Sequence, residues 1–130
     1  GYTKEEMKMI NETKKILDEN INVTATCVRV PVMVSHAESV NVEFEKEFIL
    51  DKVINLLNNA EGCKVVNDQK DGGYMTQLEA AGKDETFISR IRKDNTNEKA
   101  LNLWIVSDNL LRGAALNAVE IAQAYIKTKK

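Results

Sequence analysis

The stretch Thr86-Phe-Ile-Ser-Arg-Ile-Arg-Lys93, then the polar run Asp94 to Glu98, then Leu101-Asn-Leu-Trp-Ile-Val106, decides the fold class. Phe87, Ser89 and Ile91 alternate with Ile88, Arg90 and Arg92, the two-residue period of a strand. In the second run Leu101, Leu103 and Ile105 share one face, and Trp104 and Val106 the other. The two strand patterns are separated by a polar turn at Asp94 to Glu98.

Working upstream, Asn67 to Asp84 is rich in Asp, Gly, Gln and Lys and includes Gly72-Gly73 and Gly82. It reads as a long loop, a feature that marks either function or disorder. Lys64-Val65-Val66 reads as a short strand. Asp51 is placed to cap a helix carrying Val53, Ile54, Leu56 and Leu57, which stops by Gly62. Val40, Val42 and Phe44 alternate with Asn41, Glu43 and Glu45, as in a half-buried strand with one wet face. Near the start, Thr3 and Glu6 have capping-box spacing and open a helix with Met7, Ile10, Ile16 and Leu17 as its apolar stripe. That helix should fade near Asp18-Glu19-Asn20.

Downstream, Asp108 caps a last helix. Its apolar face, running from Leu110 and Leu111 to Tyr125 and Ile126, is wider than a simple amphipathic helix needs. Gly113-Ala114-Ala115 is small enough to admit a close neighbour. The order αββαβββα has few βαβ crossovers. The expected class is α+β: a mixed, mostly antiparallel sheet with helices on one face.

With 130 residues the chain can bury one core but is short for a complete cofactor-dependent enzyme. A net charge of -2, with both signs interspersed, argues against nucleic acid as a partner. No apolar run approaches the ~20 residues of a membrane span, and no charged-then-apolar leader opens the chain, so it reads as soluble. Cys27 and Cys63 lack metal-site spacing, and reduced thiols in a cytosolic compartment are the simplest account. Phosphate-loop, dinucleotide and serine-hydrolase motifs are missing. The opening at Gly1-Tyr2, straight into a helix signal, suggests a piece of a longer protein.

One stretch stands apart: Cys27-Val-Arg-Val-Pro-Val-Met-Val-Ser-His-Ala-Glu-Ser-Val40 holds the sole histidine, His36, the sole proline, Pro31, and Arg29 in an apolar run. Val23 to Val34 reads as a strand interrupted at Pro31, which cannot donate to a ladder. Ser35 to Ser39 would be the connection, leaving His36 at a strand end or in a loop. The plainer account is an edge strand whose Arg and His face solvent. A Cys27/His36 nucleophile pair is conceivable, but a thiol among valines is ordinarily an inert small hydrophobe.

That stretch also resembles the Arg/His segment of aspartate-semialdehyde dehydrogenases. Tyr2-Thr-Lys-Glu-Glu-Met-Lys8 with Glu12-Thr-Lys-Lys-Ile16, Ile88-Ser-Arg-Ile-Arg-Lys93, and Trp104-Ile-Val-Ser-Asp-Asn-Leu-Leu-Arg-Gly-Ala-Ala-Leu-Asn117 resemble further segments of the same family, in the same order. The resemblance implies the C-terminal, catalytic and dimerisation part of that enzyme, with the fold of a glyceraldehyde-3-phosphate dehydrogenase-like C-terminal domain. It implies residues 1–107 as a substrate-binding and dimerisation domain. It further implies residues 108–130 as a final helix packing on a nucleotide-binding domain not contained in the chain.

The family carries out NADPH-dependent reductive dephosphorylation of aspartyl phosphate to aspartate semialdehyde, a step toward lysine, methionine, threonine and isoleucine. By resemblance His36 is the general acid/base. Arg29 grips the substrate carboxylate through its planar fork, Glu5 meets the ammonium, and Lys8 meets the phosphate as a point charge. Asn109 lies by the nicotinamide of NADP. A homodimer in the cytoplasm is implied. The family's nucleophilic cysteine sits in a Ser-Gly-Cys-Ser-Asn-type motif, which neither Cys27 nor Cys63 matches, and the glycine-rich dinucleotide fingerprint is missing too. The chain alone is therefore expected to be inactive. Two smaller departures are His36-Ala37 in place of the family's His-Ser, and Gly73-Tyr-Met-Thr76 without proline.

Geometry adds an independent condition. Arg29 and His36 are seven residues apart, and a straight strand would set them roughly 23 Å apart on opposite faces. A shared small substrate requires the chain to bend between them. Two other readings stand beside this one: a non-enzymatic interaction module of the same fold, and part of an enzyme resembling N-acetylglutamyl-phosphate reductase.

Overall fold

The computed structural model describes residues 1–129, and the chain forms two compact units, one spanning Gly1–Pro31 and one beginning at Val32.

In the first unit, helix α1 covers Lys4–Ile16. The capping box is complete: the Thr3 hydroxyl accepts the Glu6 N–H at 3.2 Å, and Glu6 Oε2 accepts the Thr3 N–H at 2.7 Å. The other carboxylate oxygen of Glu6 accepts the N–H of Cys27 at 2.9 Å. The Thr3 amide first, and the Cys27 amide second, hold the Glu6 carboxyl below its ordinary range. The strand expected over Val23 to Val34 is not formed. Residues 21–31 lie outside any ladder, and a side-chain carboxylate takes the Cys27 amide that a neighbouring strand would otherwise have bound. The Thr3→Ala substitution is expected to cost about 1 kcal/mol of helix stability, read as lower helical circular dichroism in mild urea.

The second unit contains strand β1 (His36–Glu43), helix α2 (Leu50–Asn59), strand β2 (Cys63–Val65), the short helix α3 (Gln77–Ala80), strands β3 (Thr86–Lys93) and β4 (Ala100–Ser107), and helix α4 (Leu116–Lys127). The four strands form one sheet in the order β1-β4-β3-β2. The β1–β4 and β3–β4 pairs are antiparallel and β2–β3 is parallel, so the expected mixed, mostly antiparallel sheet is what forms.

One face buries Ile88, Ile91 and Leu101 against Phe48, Val53, Ile54 and Leu57 of the α2 region. The other buries Met75, Ala80, Phe87 and Val106, with Trp104 beside them. The Trp104 indole N–H donates to the Met75 carbonyl at 2.8 Å, so the ring is anchored at its polar end. The ten-residue helix α2 thus covers one face, and the Met75–Ala80 segment closes part of the other.

Several local expectations need correction. Helix α2 starts after Ile49 with no side-chain cap, and Asp51 lies in its first turn, where a negative charge suits the free amides. The long loop is not structureless: Thr76 and Glu79 form a second capping box that starts α3, a signature hidden among the glycines around it. In β3 the simple alternation breaks. Ser89 lies opposite Trp104 but Arg92 opposite Asn102, so β3 carries one extra residue, and Arg90 has φ 55°. This bulge moves Ile91 from the Phe87 face to the Ile88 face. Asn67 secures the break: its Oδ1 accepts the Ile91 N–H at 2.8 Å and its Nδ2 donates to the Ile91 carbonyl at 3.4 Å.

The turn after β3 is held by Asp94. Its Oδ1 accepts from the Thr96 hydroxyl at 2.6 Å and the Thr96 N–H at 2.8 Å. Its Oδ2 accepts from Asn41 of β1 at 2.8 Å and Asn102 of β4 at 3.4 Å. These donors, the Thr96 hydroxyl foremost, pull the carboxyl down to about 2. A carboxyl lowered on folding stabilises fully above its unfolded value, and that contribution is lost as pH falls toward the folded one. The melting-temperature gap between the protein and its Asp94→Asn variant is therefore expected to be widest near neutrality and to close between pH 4 and pH 2. A gap independent of pH would show that Asp94 is not ionised in this network.

Candidate active site

Because β1 and β4 are antiparallel, the start of β1 lies beside the end of β4, with His36 opposite Ser107. His36 is exposed and is the first residue of β1, so it sits at a strand end, one of its two expected places, while residues 36–39 are strand and not the expected connection. Ser35 before it is buried and has φ 78°, a conformation that L-residues other than Gly, Asn and Asp rarely adopt. Its N–H donates to Asn109 Oδ1 at 2.9 Å. Its own hydroxyl is buried with no partner among the described residues.

Asn109 owes its place to Asp108, which is 4% exposed. Asp108 Oδ1 accepts the Leu110 N–H at 2.8 Å and Oδ2 accepts the Gly82 N–H at 2.8 Å, but the expected Asp108 cap is displaced: the last helical segment has Leu110 at its cap position and no side-chain cap bond. The Gly82 amide is the main reason its carboxyl stays below the ordinary range. The segment then begins with a π-helical turn over Leu111–Ala115 before α4. Arg112 in that turn donates from Nε to the Asp84 carbonyl at 3.0 Å and pairs with Glu120. It also lies against Gly62 (φ 77°), where an added Cβ would stand 2.7 Å from Arg112 Nη2. One side chain thus ties the last helix to two loops.

In the first unit, Lys8 Nζ lies 3.6 Å from Glu5 Oε1, one helical turn apart, with both side chains more than half exposed. Arg29 is exposed, two residues after the Cys27 amide that Glu6 holds. No straight strand joins Arg29 to His36: bends at Pro31, Met33 and Val34 and the left-handed Ser35 intervene. The structure therefore groups Glu5, Lys8 and Arg29 on one unit, and His36 with Asn109 on the other. Ser35 and Asp108 carry no motif. Their parts depend on contacts 74 and 26 residues distant in sequence, which no local pattern reports.

Neither cysteine is disposed as a nucleophile. Cys27 is half-buried with Sγ 3.6 Å from Met9 Sδ, and Cys63 packs at the edge of the α2-side core. The described residues form no disulfide and contain no cluster able to hold a metal ion. For a dinucleotide the fit is partial. Asn109 Oδ1 is taken by Ser35, and its Nδ2 hydrogens remain to donate to a carboxamide. The left-handed glycines Gly62, Gly72 and Gly82 stand apart in separate loops, not in one phosphate-cradling turn. No described turn among these offers a run of backbone amides to a pyrophosphate.

Residues 1–112 match the semialdehyde dehydrogenase dimerisation domain, and the chain belongs to that family. Among its relatives, the aspartate-semialdehyde dehydrogenase of Aquifex aeolicus is 48% identical over 128 residues, which are 98% of this chain and 38% of that protein. The Helicobacter pylori enzyme is 49% identical over 127 residues, 98% of this chain and 37% of that protein. The crystal structure of aspartate semialdehyde dehydrogenase II from Vibrio cholerae, complexed with ASA, superposes with a TM-score of 0.91 at 43% identity. It is covered over 98% of this chain and 38% of its own. The chain thus spans well under half the length of the relatives it matches. No described helix is long and apolar enough to cross a membrane.

Proposed function

We propose that the chain is the substrate-binding and dimerisation part of a cytoplasmic, homodimeric aspartate-semialdehyde dehydrogenase. The reaction is reductive dephosphorylation of L-aspartyl 4-phosphate to L-aspartate 4-semialdehyde and phosphate. The observation that carries this reading is His36, exposed at the head of β1 and one residue from the Ser35–Asn109 bond, within a chain of this family. His36 exchanges the proton as the thiol adds and leaves, a task an imidazole can perform in either direction. Arg29 holds the substrate carboxylate, Glu5 the ammonium and Lys8 the phosphate. NADPH, when bound, supplies the hydride, and Asn109 would hold its carboxamide end. The nucleophilic thiol belongs to the portion of the relatives' length that this chain does not span.

In this reading residues 1–107 bind substrate and the second subunit, and residues 108–130 pack on the nucleotide-binding part. The exposure of Leu110, Val119, Ile121, Tyr125 and Ile126, each more than half open, supports the second assignment, since such a face needs a cover. The test is complementation. A separately produced nucleotide-binding part, mixed with this chain, is expected to restore phosphate-dependent NADPH formation from aspartate semialdehyde. Failure with a partner of matching sequence, when the two proteins do associate, would rule the reading out.

A further inference from the structure

We propose that Asn109 is a positioning residue for His36, acting through the backbone amide of Ser35. The inference rests on the reading of His36 as the proton-transfer group, but its structural half stands on its own. Ser35 is held in the left-handed region at φ 78°, where a Cβ-bearing residue is strained. Nothing on its own side chain offsets this: the hydroxyl is buried and unpartnered, so no local turn of the serine type stabilises the bend. The one polar contact recorded for Ser35 that can offset the strain is its N–H donated to Asn109 Oδ1 at 2.9 Å.

The consequence falls on the next residue. The peptide plane between Ser35 and His36 sets the direction in which the His36 Cα–Cβ bond leaves β1, and that plane is fixed by the Ser35 dihedrals. His36 is exposed at the strand's first position, with no hydrogen bond of its own ring among the described residues, so the backbone is what aims it. Asn109 is in turn fixed by the chain around it: the Asp108 carboxylate binds the Leu110 and Gly82 amides on either side. A rigid anchor, a strained link and an otherwise loosely held ring thus follow in series. Asn109 then has two jobs on two atoms, Oδ1 toward Ser35 and Nδ2 toward whatever carboxamide docks beside it. A ligand that engages Nδ2 would also steady the histidine.

The test uses the sole histidine, whose C2–H gives one proton resonance for the whole chain. Asn109→Ala removes the acceptor, and Asn109→Asp keeps it. In Asn109→Ala the Ser35 amide is expected to exchange with solvent about tenfold faster, the loss of one net hydrogen bond. The His36 C2–H signal should also shift or broaden. Asn109→Asp should keep both signals near those of the parent chain, and the Trp104 indole resonance should stay in place in both variants, showing an intact sheet. A His36 signal unchanged in Asn109→Ala, or a Ser35 amide equally protected in it, overturns the proposal. In the complemented enzyme at saturating cofactor, Asn109→Ala should lower kcat about tenfold more than Asn109→Asp, and equal losses in both would mean that Oδ1 does not position the ring. If instead His36→Ala left turnover intact, the functional reading would fall while the resonance result stood or fell separately.

Discussion

Replacing His36 by Ala in the complemented enzyme is expected to lower kcat by about 10²- to 10⁴-fold, the usual worth of a positioned general acid/base. The substrate KM should change far less, because carboxylate, ammonium and phosphate are assigned to Arg29, Glu5 and Lys8. Loss of kcat and kcat/KM together, with KM nearly constant, is the mark of a group that acts in the transition state. Stability should be little affected, since the ring is exposed at the end of an edge strand. A variant with unchanged kcat, or with an equal fall in melting temperature and activity, would remove His36 from the chemistry.

The second large effect is on folding. Phe87 is 2% exposed and packs with Met75, Ala80 and Val106 on the face opposite α2. The ammonium groups of Lys83 and Lys64 lie 5.5 and 6.0 Å from its ring centroid, so the ring carries charge contacts as well as apolar ones. Truncation leaves a cavity that a strand flanked by two ladders cannot close. Phe87→Ala is expected to cost about 3–5 kcal/mol. Against a total stability of about 5–15 kcal/mol for a domain, that brings the second unit close to its unfolding midpoint. Urea titration followed by Trp104 fluorescence should show the midpoint falling sharply. Leu56→Ala, at a position 72% exposed on α2, should shift it within about 0.5 kcal/mol. Comparable losses in the two variants would mean that Phe87 is not a core anchor.

The strands at Thr86–Lys93 and Leu101–Val106 were legible because their faces obey the simplest rule available, alternation. Leu101, Leu103 and Ile105 do share the α2 face, and Trp104 and Val106 do point to the other. The same rule misplaced Ile91, because a bulge is a backbone event with no fixed residue type and Arg90 gives no sign that it will take φ 55°. The strand expected before Pro31 failed for a different reason. Valine and threonine favour extended backbone, but extended backbone becomes a strand only where a partner offers hydrogen bonds, and here Glu6 supplies the one for Cys27. The Thr3 capping box was readable and the Thr76 one equally so, yet the second lay in a glycine-rich stretch that outweighed it.

The site was legible in a different sense. Arg29 and His36 drew notice as a lone charge and a lone ring, but composition offers no reason to assign them to a substrate. Resemblance across four segments did that. What neither route revealed is the scaffold behind His36: the left-handed Ser35, the Asn109 acceptor and the buried Asp108, each joined across distant parts of the chain. Such links are set by which strand ends meet, and so become visible only when the antiparallel β1–β4 pair is drawn.

The Asn67 amide that grips Ile91 has a consequence for the company the sheet keeps. Strand β2 has only three residues, so beyond it the outer rim of β3 would present bare donors and acceptors to any passing strand. A side-chain amide offers one oxygen and one N–H in the arrangement of a peptide group, and Asn67 spends both on the backbone of Ile91, whose side chain is in the core. The next residues are Arg92 and Lys93, which carry charge. At Ile91 the β2-side edge is thereby already satisfied by a single counterfeit peptide bond, which leaves an incoming strand nothing to pair with at that residue.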